Sequence, residues 1–145
     1  ADELQARGLI NDKTPLAGTS AGFIVVTCIA SGLPTETIVE FFKDFIGDLR
    51  DNGTVSRVQA VMRRVLNELL PADIHIRLNS RSGGCGCGIT QLSWSTPWAP
   101  LRPLVIREFF SKADVINAME ASGWTPLWIA PGLSVNFRDY GPCID

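Results

Sequence analysis

The chain has 145 residues, 46% of them hydrophobic and 19% charged, with a formal net charge of −2. That length supports one domain with a real core and is short for two. The composition excludes a disordered chain, and the charge leaves no basic footprint for nucleic acid.

Leu4-Gln5-Ala6-Arg7 reads as the tail of a helix, with Gly8 as its C′ residue. The acidic start, Ala1-Asp2-Glu3-Leu4, lacks an initiator methionine and does not resemble a signal peptide, so the chain is expected to be cut from a longer one. Leu9-Ile10 and Thr14 to Ala17 lead as a short strand into Gly18-Thr19-Ser20-Ala21-Gly22. A helix is expected from about Ser20 to Ser31, ended by Gly32.

Gly-x-Ser-x-Gly between a strand and a helix has the pattern of a nucleophile elbow, in which a sharp turn holds the serine above the sheet. Residues two before and two after the serine must lack bulk, and Gly18 and Gly22 supply that clearance. Ser20 would then sit at a helix N-terminus, where unpaired N–H groups stabilise developing negative charge. The alternative is a glycine-rich turn that merely joins two elements.

Thr14 to Thr35 is uncharged for 22 residues, long enough to span a bilayer. Pro15, Thr19, Ser20, Thr27, Ser31 and Pro34 make it too polar for that, and only Phe23 to Ala30 is densely apolar. A buried core helix fits better than a membrane span.

Thr35 to about Arg50 is a second helix, with Ile38, Phe41, Phe42, Phe45, Ile46 and Leu49 on one stripe. Asp51-Asn52-Gly53 is a turn. Ser56-x-x-Gln59 forms a capping-box pattern ahead of a third helix that Pro71 closes. Arg63-Arg64 reads as the solvated face of that helix.

From Ala72 to Ile106 the periodicity weakens. Cys87 to Leu92 and Leu104 to Ile106 read as strands around a loop from Trp94 to Pro103. Ser111-x-x-Asp114 starts another helix with Val115, Ile116 and Met119 inward, stopped by Gly123. Short strands or loops follow through Pro126 to Ile129, Leu133 to Phe137 and Pro142 to Ile144. This alternation of strands and helices predicts an α/β sandwich with a largely parallel sheet, without repeat or domain boundary.

The cysteines are Cys28, Cys85, Cys87 and Cys143. Cys85-Gly86-Cys87 is a C-x-C pair with no second pair, which favours small apolar residues in a reduced protein over a structural zinc site.

A catalytic serine needs a base. His75, the one histidine, lies in an expected loop with no convincing acid between it and Ser20, so it reads as surface or structural. A Ser-His-Asp esterase built on it is the less favoured enzyme, and a carboxylate is the expected base. Asp145 follows the apolar Cys143-Ile144 and is the last residue. Burial beside a serine would raise its pKa and strengthen it as a base; a solvated terminal acid is the equal alternative.

Over nearly its whole length the chain resembles the patatin-like phospholipase family, and within it the branch that contains adipose triglyceride lipase. The resemblance runs through Pro15-Leu16-Ala17 and the Gly18–Gly22 elbow, Leu69-Leu70-Pro71-Ala72-Asp73-Ile74-His75, Gly88-Ile89-Thr90, Phe110 to Ala118, and Ala121 to Pro126, in that order. It implies a three-layer α/β/α sandwich with a mostly parallel central sheet, and a Ser-Asp dyad without histidine. Carried over by position, Ser20 is the nucleophile, Asp145 the general base, and the Ala21 N–H an oxyanion donor, with Gly18 and Gly22 shaping the elbow. Asp139 is a poorer match because Tyr140 follows it.

The resemblance also implies a glycine-rich oxyanion loop ahead of the first helix and glycines after the aspartate. The sequence holds neither, so the patatin-like domain is expected to be incomplete at both places, and the fragment to hydrolyse little by itself. The implied activity is hydrolysis of acylglycerols, phospholipids or galactolipids through an acyl-enzyme, without metal or organic cofactor. A non-catalytic lipid-binding module that keeps the fold is the alternative. A lipid ester substrate implies peripheral contact with a membrane or lipid-droplet surface. Trp94, Trp98 and Leu101 suit a headgroup boundary, although a loop whose tryptophans pack on the sheet is favoured. Trp124 and Trp128 read as core or pocket wall.

Overall fold

The computed structural model describes residues 2–93 and 100–145. Helix α1 (Asp2–Ala6) leads through a loop to strand β1 (Leu16–Thr19), and α2 (Ala21–Ser31) follows the elbow at once. Gly32 closes α2 in the left-handed conformation, φ 67° and ψ 14°, that favours glycine. Helix α3 (Thr35–Asn52) matches its expected stripe, and α4 (Val58–Leu69) ends before Pro71.

The expected capping box at Ser56 does not form. Arg57 is the N-cap and makes no side-chain cap. The Ser56 N–H instead donates to Trp128 O at 2.8 Å, and the Gln59 N–H to Ile129 O at 3.0 Å. A neighbouring loop thus takes the groups that the local motif would have paired. The second box does form in part: the Ser111 hydroxyl accepts from the Asp114 N–H at 3.1 Å, starting α6 (Lys112–Ser122).

Two elements differ from expectation. Helix α5 (Ile74–Ser80) replaces the expected loop, so His75 is helical. Strand β3 (Leu101–Ile106) starts three residues before Leu104 and includes Pro103. Proline is tolerated there because, among the described residues, β3 pairs on one side only, with β2 (Cys85–Leu92), and so is an edge strand.

The sheet is completed by β4 (Val135–Asn136) and β5 (Pro142–Ile144), and it is mixed. Among the described residues only β1 and β2 run parallel; β2 pairs antiparallel with β3 and β5, and β4 with β5. The mostly parallel sheet of the sequence reading is therefore corrected. Parallel neighbours need a long crossover, and the links from β2 to β3 and from β4 to β5 are too short for one.

Alternation along β2 buries Cys85, Cys87 and Ile89 on one face, where they join Phe23 and Val26 of α2, Leu66 of α4, Ile74 and Leu78 of α5, and Val115, Ile116 and Met119 of α6. On the opposite face Ala17 and Thr19 are exposed, as is Val105. The described residues thus form one helical layer on one sheet face, where three layers were expected.

Register fixes the position of the chain's two ends of interest. β3 lies against Cys87–Leu92 and overlaps the pairing of both β1 (at Cys87 and Gly88) and β5 (at Thr90 and Gln91). It must occupy the other edge of β2 from each of them. β1 and β5 therefore share one edge, β1 ending at Thr19 opposite Gly88 and β5 at Ile144 opposite Thr90. Ser20 and Asp145 are the next residues on either side of a gap one residue wide, level with Ile89.

Candidate active site

Ser20 sits where β1 turns into α2, with φ 51° and ψ −128°. That region costs a non-glycine residue on the order of 1–3 kcal/mol and survives only where surroundings hold it. One restraint is steric. A Cβ at Gly18 would stand 2.3 Å from the Gly22 carbonyl carbon and 2.5 Å from its oxygen, so the turn closes this tightly only without a side chain.

A second restraint is polar, and sequence reasoning missed it. The Ser20 N–H donates to the Ser122 hydroxyl at 2.6 Å, which donates to Gly88 O at 2.6 Å. The Thr19 hydroxyl also donates to Gly88 O, at 3.0 Å. Ser122 is fully buried at the end of α6; in the sequence it stood out only as the residue before the helix-stopping Gly123 and as a member of the Ala121 to Pro126 resemblance segment. The next turn passes close to the elbow, where a Cβ at Gly123 would lie 3.5 Å from the Ser20 Oγ, an ordinary van der Waals contact.

The serine hydroxyl itself has no hydrogen-bond partner among the described residues, and Ser20 lines a cavity of about 360 Å³. Ile24, Phe42, Phe45, Met119 and Trp128 contribute apolar walls. Ala21 and Gly22 open α2, and their N–H groups are among the donors that a helix leaves unpaired. Trp128 is thus pocket wall, as expected, while Trp124 is buried in a second cluster with Val58, Ile129 and Ala130.

Asp145 is exposed, and its backbone N–H donates to Trp124 O at 3.1 Å. That bond ties the end of β5 to the residue after Gly123, beside the elbow. No hydrogen bond joins the Asp145 carboxylate to Ser20 or to any other described residue. The two residues are brought to one gap in the sheet without being joined. His75 is on α5, outside the cavity lining, and its Nδ1 is buried without a hydrogen-bond partner. Asp139 lies in a 3₁₀ turn at Arg138–Tyr140 and is exposed.

The thiols of Cys28, Cys85, Cys87 and Cys143 are all free and buried. Burial pushes Cys28 up to about 11 and Cys87 up to about 12, so neither is a thiolate at neutral pH. No group of three or more metal-ligating side chains forms among the described residues. Arg63, read as solvated, in fact binds Glu120 through Nε at 2.7 Å and Nη2 at 2.6 Å, and Glu120 is 4% exposed. Arg64 pairs with Asp48 at 2.8 Å.

No helix among the described residues is long and apolar enough to cross a membrane. Trp94 and Trp98 lie outside the described residues. Leu101, third of the expected interfacial group, is exposed at the start of β3.

No protein-family model matches the chain, and no solved structure matches it. A curated human (Homo sapiens) protein, 1-acylglycerol-3-phosphate O-acyltransferase PNPLA3, is 25% identical over 125 residues, covering 83% of this chain and 24% of that protein. The chain thus spans about a quarter of the length of that relative. The likeness supports a patatin-like family and nothing narrower.

Proposed function

We propose that this chain carries the nucleophile of a lipid acyl-ester enzyme, a serine hydrolase of the triacylglycerol lipase or phospholipase type. The observation that carries the reading is Ser20: a residue on a restrained bend, at a helix N-terminus, lining an apolar cavity, with a hydroxyl that has no hydrogen-bond partner among the described residues. Similarity to a protein named as an acyltransferase supports acyl chemistry on a lipid.

In the proposed reaction the Asp145 carboxylate accepts the Ser20 hydroxyl proton as Oγ bonds to the acyl carbonyl carbon. The carbonyl oxygen takes the negative charge, facing the Ala21 N–H. The ester C–O bond breaks, the alcohol leaves with the proton, and the acyl group stays on Ser20. Water then repeats the sequence, releasing the fatty acid and restoring the hydroxyl. This requires the Asp145 side chain to close on Ser20 across the one-residue gap.

A second reading, a non-catalytic lipid-binding module, is favoured by one observation: the Ser20 and Asp145 side chains share no hydrogen bond. A fluorophosphonate probe separates the two. On the full-length protein it should label wild type and leave Ser20→Ala unlabelled. Equal labelling of both, or of neither, would defeat the enzyme reading.

A further inference from the structure

The turn expected at Asp51-Asn52-Gly53 starts later than its residues suggest: α3 runs through Asn52, and Gly53 is the first residue outside it. Gly53 has φ 84° and ψ 162°, a conformation essentially restricted to glycine, so the backbone dictates which residue follows Asn52. The chain has six asparagines, and Asn52 is the one that precedes a glycine.

That pair has a chemistry of its own. The backbone nitrogen after an asparagine lies within reach of the side-chain amide carbon, and the next side chain normally screens it. Glycine has no side chain, and the space a Cβ would take at Gly53 is open, with nothing within 4 Å. Asn52 and Gly53 are both exposed. The Gly53 N–H makes no hydrogen bond among the described residues, whereas the residues that close α2, α4 and α6 each donate theirs back to the helix. Among the described residues the Asn52 amide is held by Asp48 alone. Its Nδ2 donates to the Asp48 backbone oxygen at 3.2 Å and to Oδ1 at 3.4 Å, both long for such a bond. None of the 18 residues of α3 is buried, so its last turn opens at little cost. Asn79 shows the opposite case: its Nδ2 donates to Phe109 O at 2.7 Å, its Oδ1 accepts the Phe109 N–H at 3.0 Å, and Ser80 follows it.

We infer that Asn52–Gly53 is a self-modifying site, at which the chain converts Asn52 through a cyclic imide into isoaspartate and aspartate without an enzyme. The Gly53 nitrogen bonds to the Asn52 side-chain carbonyl carbon. The bond from that carbon to Nδ2 breaks, and the Gly53 amide proton leaves with the NH2 group as ammonia. Water then opens the five-membered ring at either carbonyl. Opening at the backbone carbonyl leaves isoaspartate, with the chain running through the former side chain; opening at the other leaves aspartate.

Either product puts a negative charge where α3 tolerates it least, at the C-terminal end of the helix dipole and four residues after Asp48. Asp48 ties α3 to α4, taking Arg57 at 2.9 Å and Arg64 at 2.8 Å. An amide that donated to Asp48 becomes a carboxylate that repels it and competes for the same two guanidinium groups. Conversion therefore loosens the end of α3, where Phe45 and Leu49 pack against the Trp124 cluster.

The test incubates the full-length protein in mildly alkaline buffer, which favours the attacking nitrogen, and maps the products by peptide mass spectrometry. Isoaspartate is counted separately by methylation with a protein L-isoaspartyl methyltransferase. Asn52 should convert roughly tenfold faster than any other asparagine, because no other is followed by a residue without a Cβ. Methylation should fall to background in Asn52→Gln, whose longer side chain would have to close a six-membered ring. Asn52→Asp carries the charge from the start, and its amide hydrogen exchange over residues 48–57 should quicken roughly fivefold, the combined effect of one like-charge pair and one charge at the helix end. Asn52 converting no faster than Asn79, or methylation undiminished in Asn52→Gln, overturns the site. Exchange unchanged in Asn52→Asp overturns the loosening of α3.

Discussion

The Ser122 hydroxyl accepts a hydrogen bond from the backbone N–H of Ser20 at 2.6 Å and donates one to Gly88 O at the same distance. One buried side chain, 102 residues along the chain, thereby fastens the elbow to the central strand. Ser122→Ala leaves the Ser20 N–H without its acceptor, while Gly88 O keeps the Thr19 hydroxyl. It should cost about 1–3 kcal/mol in thermal or urea unfolding. Misplacement of Ser20 should also lower kcat by roughly ten- to a hundredfold with KM little changed. Full kcat in a destabilised variant would show that the bond supports the fold and not the nucleophile.

Gly18 has no room for a methyl group. Gly18→Ala places a Cβ against backbone atoms of Gly22, which cannot rotate away as a side chain would. Opening the turn should cost about 3 kcal/mol, at the upper end for overpacking. A urea midpoint equal to wild type would mean that the bend is looser than its geometry.

For the dyad, Ser20→Ala should remove ester hydrolysis, and Asp145→Asn should lower kcat/KM on the order of 10²–10⁴, the range for a general base. His75→Ala should keep most activity, because α5 holds His75 away from the cavity. The reverse pattern, an inactive histidine variant beside an active Asp145→Asn, would reassign the base.

Glu120 is 4% exposed, and Arg63 is its charged partner. The Glu120 hydrogen bond raises the Arg63 pKa further, so the guanidinium stays charged. Arg63→Ala strands a buried carboxylate and should destabilise by about 3 kcal/mol, the low end for a broken buried pair because Arg63 is partly exposed. The double change Arg63→Met with Glu120→Leu should cost less than Arg63→Ala alone. Denaturation of the three variants under one set of conditions decides it.

Cys28 and Cys87 give an alkaline limit to stability. Their pKa values rise from 9.0 in the unfolded chain to about 11 and about 12 on burial. Below pH 9 both states keep the protons and the folded state keeps its full advantage. Above it the unfolded chain releases protons that the folded one retains, and stability falls by about 1.4 kcal/mol per pH unit for each thiol. Urea midpoints should drop across this window, and Cys28→Ala should remove its share of the slope. A slope unchanged in that variant would place the loss elsewhere.

Local pattern in the sequence carried the elbow, the glycine stop of α2, the apolar stripe of α3 and the Ser111 cap. Each is set by residues within a few positions of one another, so short-range sterics and hydrogen bonding suffice to specify them. His75 was misassigned because Pro71 suggested a loop, whereas Ile74 and Leu78, four apart, anchor a short helix in the core. Ser56 was misread as a cap because the Trp128 and Ile129 carbonyls that claim its neighbourhood lie some seventy residues away.

What the sequence determined by itself was the serine on its bend and the α/β class. What only tertiary structure decided was strand direction, the single helical layer, the hold of Ser122 on Ser20, and the arrival of Asp145 at the same break in the sheet. Those depend on register between strands and on contacts between distant segments, where loop closure and core packing choose among pairings that local residues leave equal.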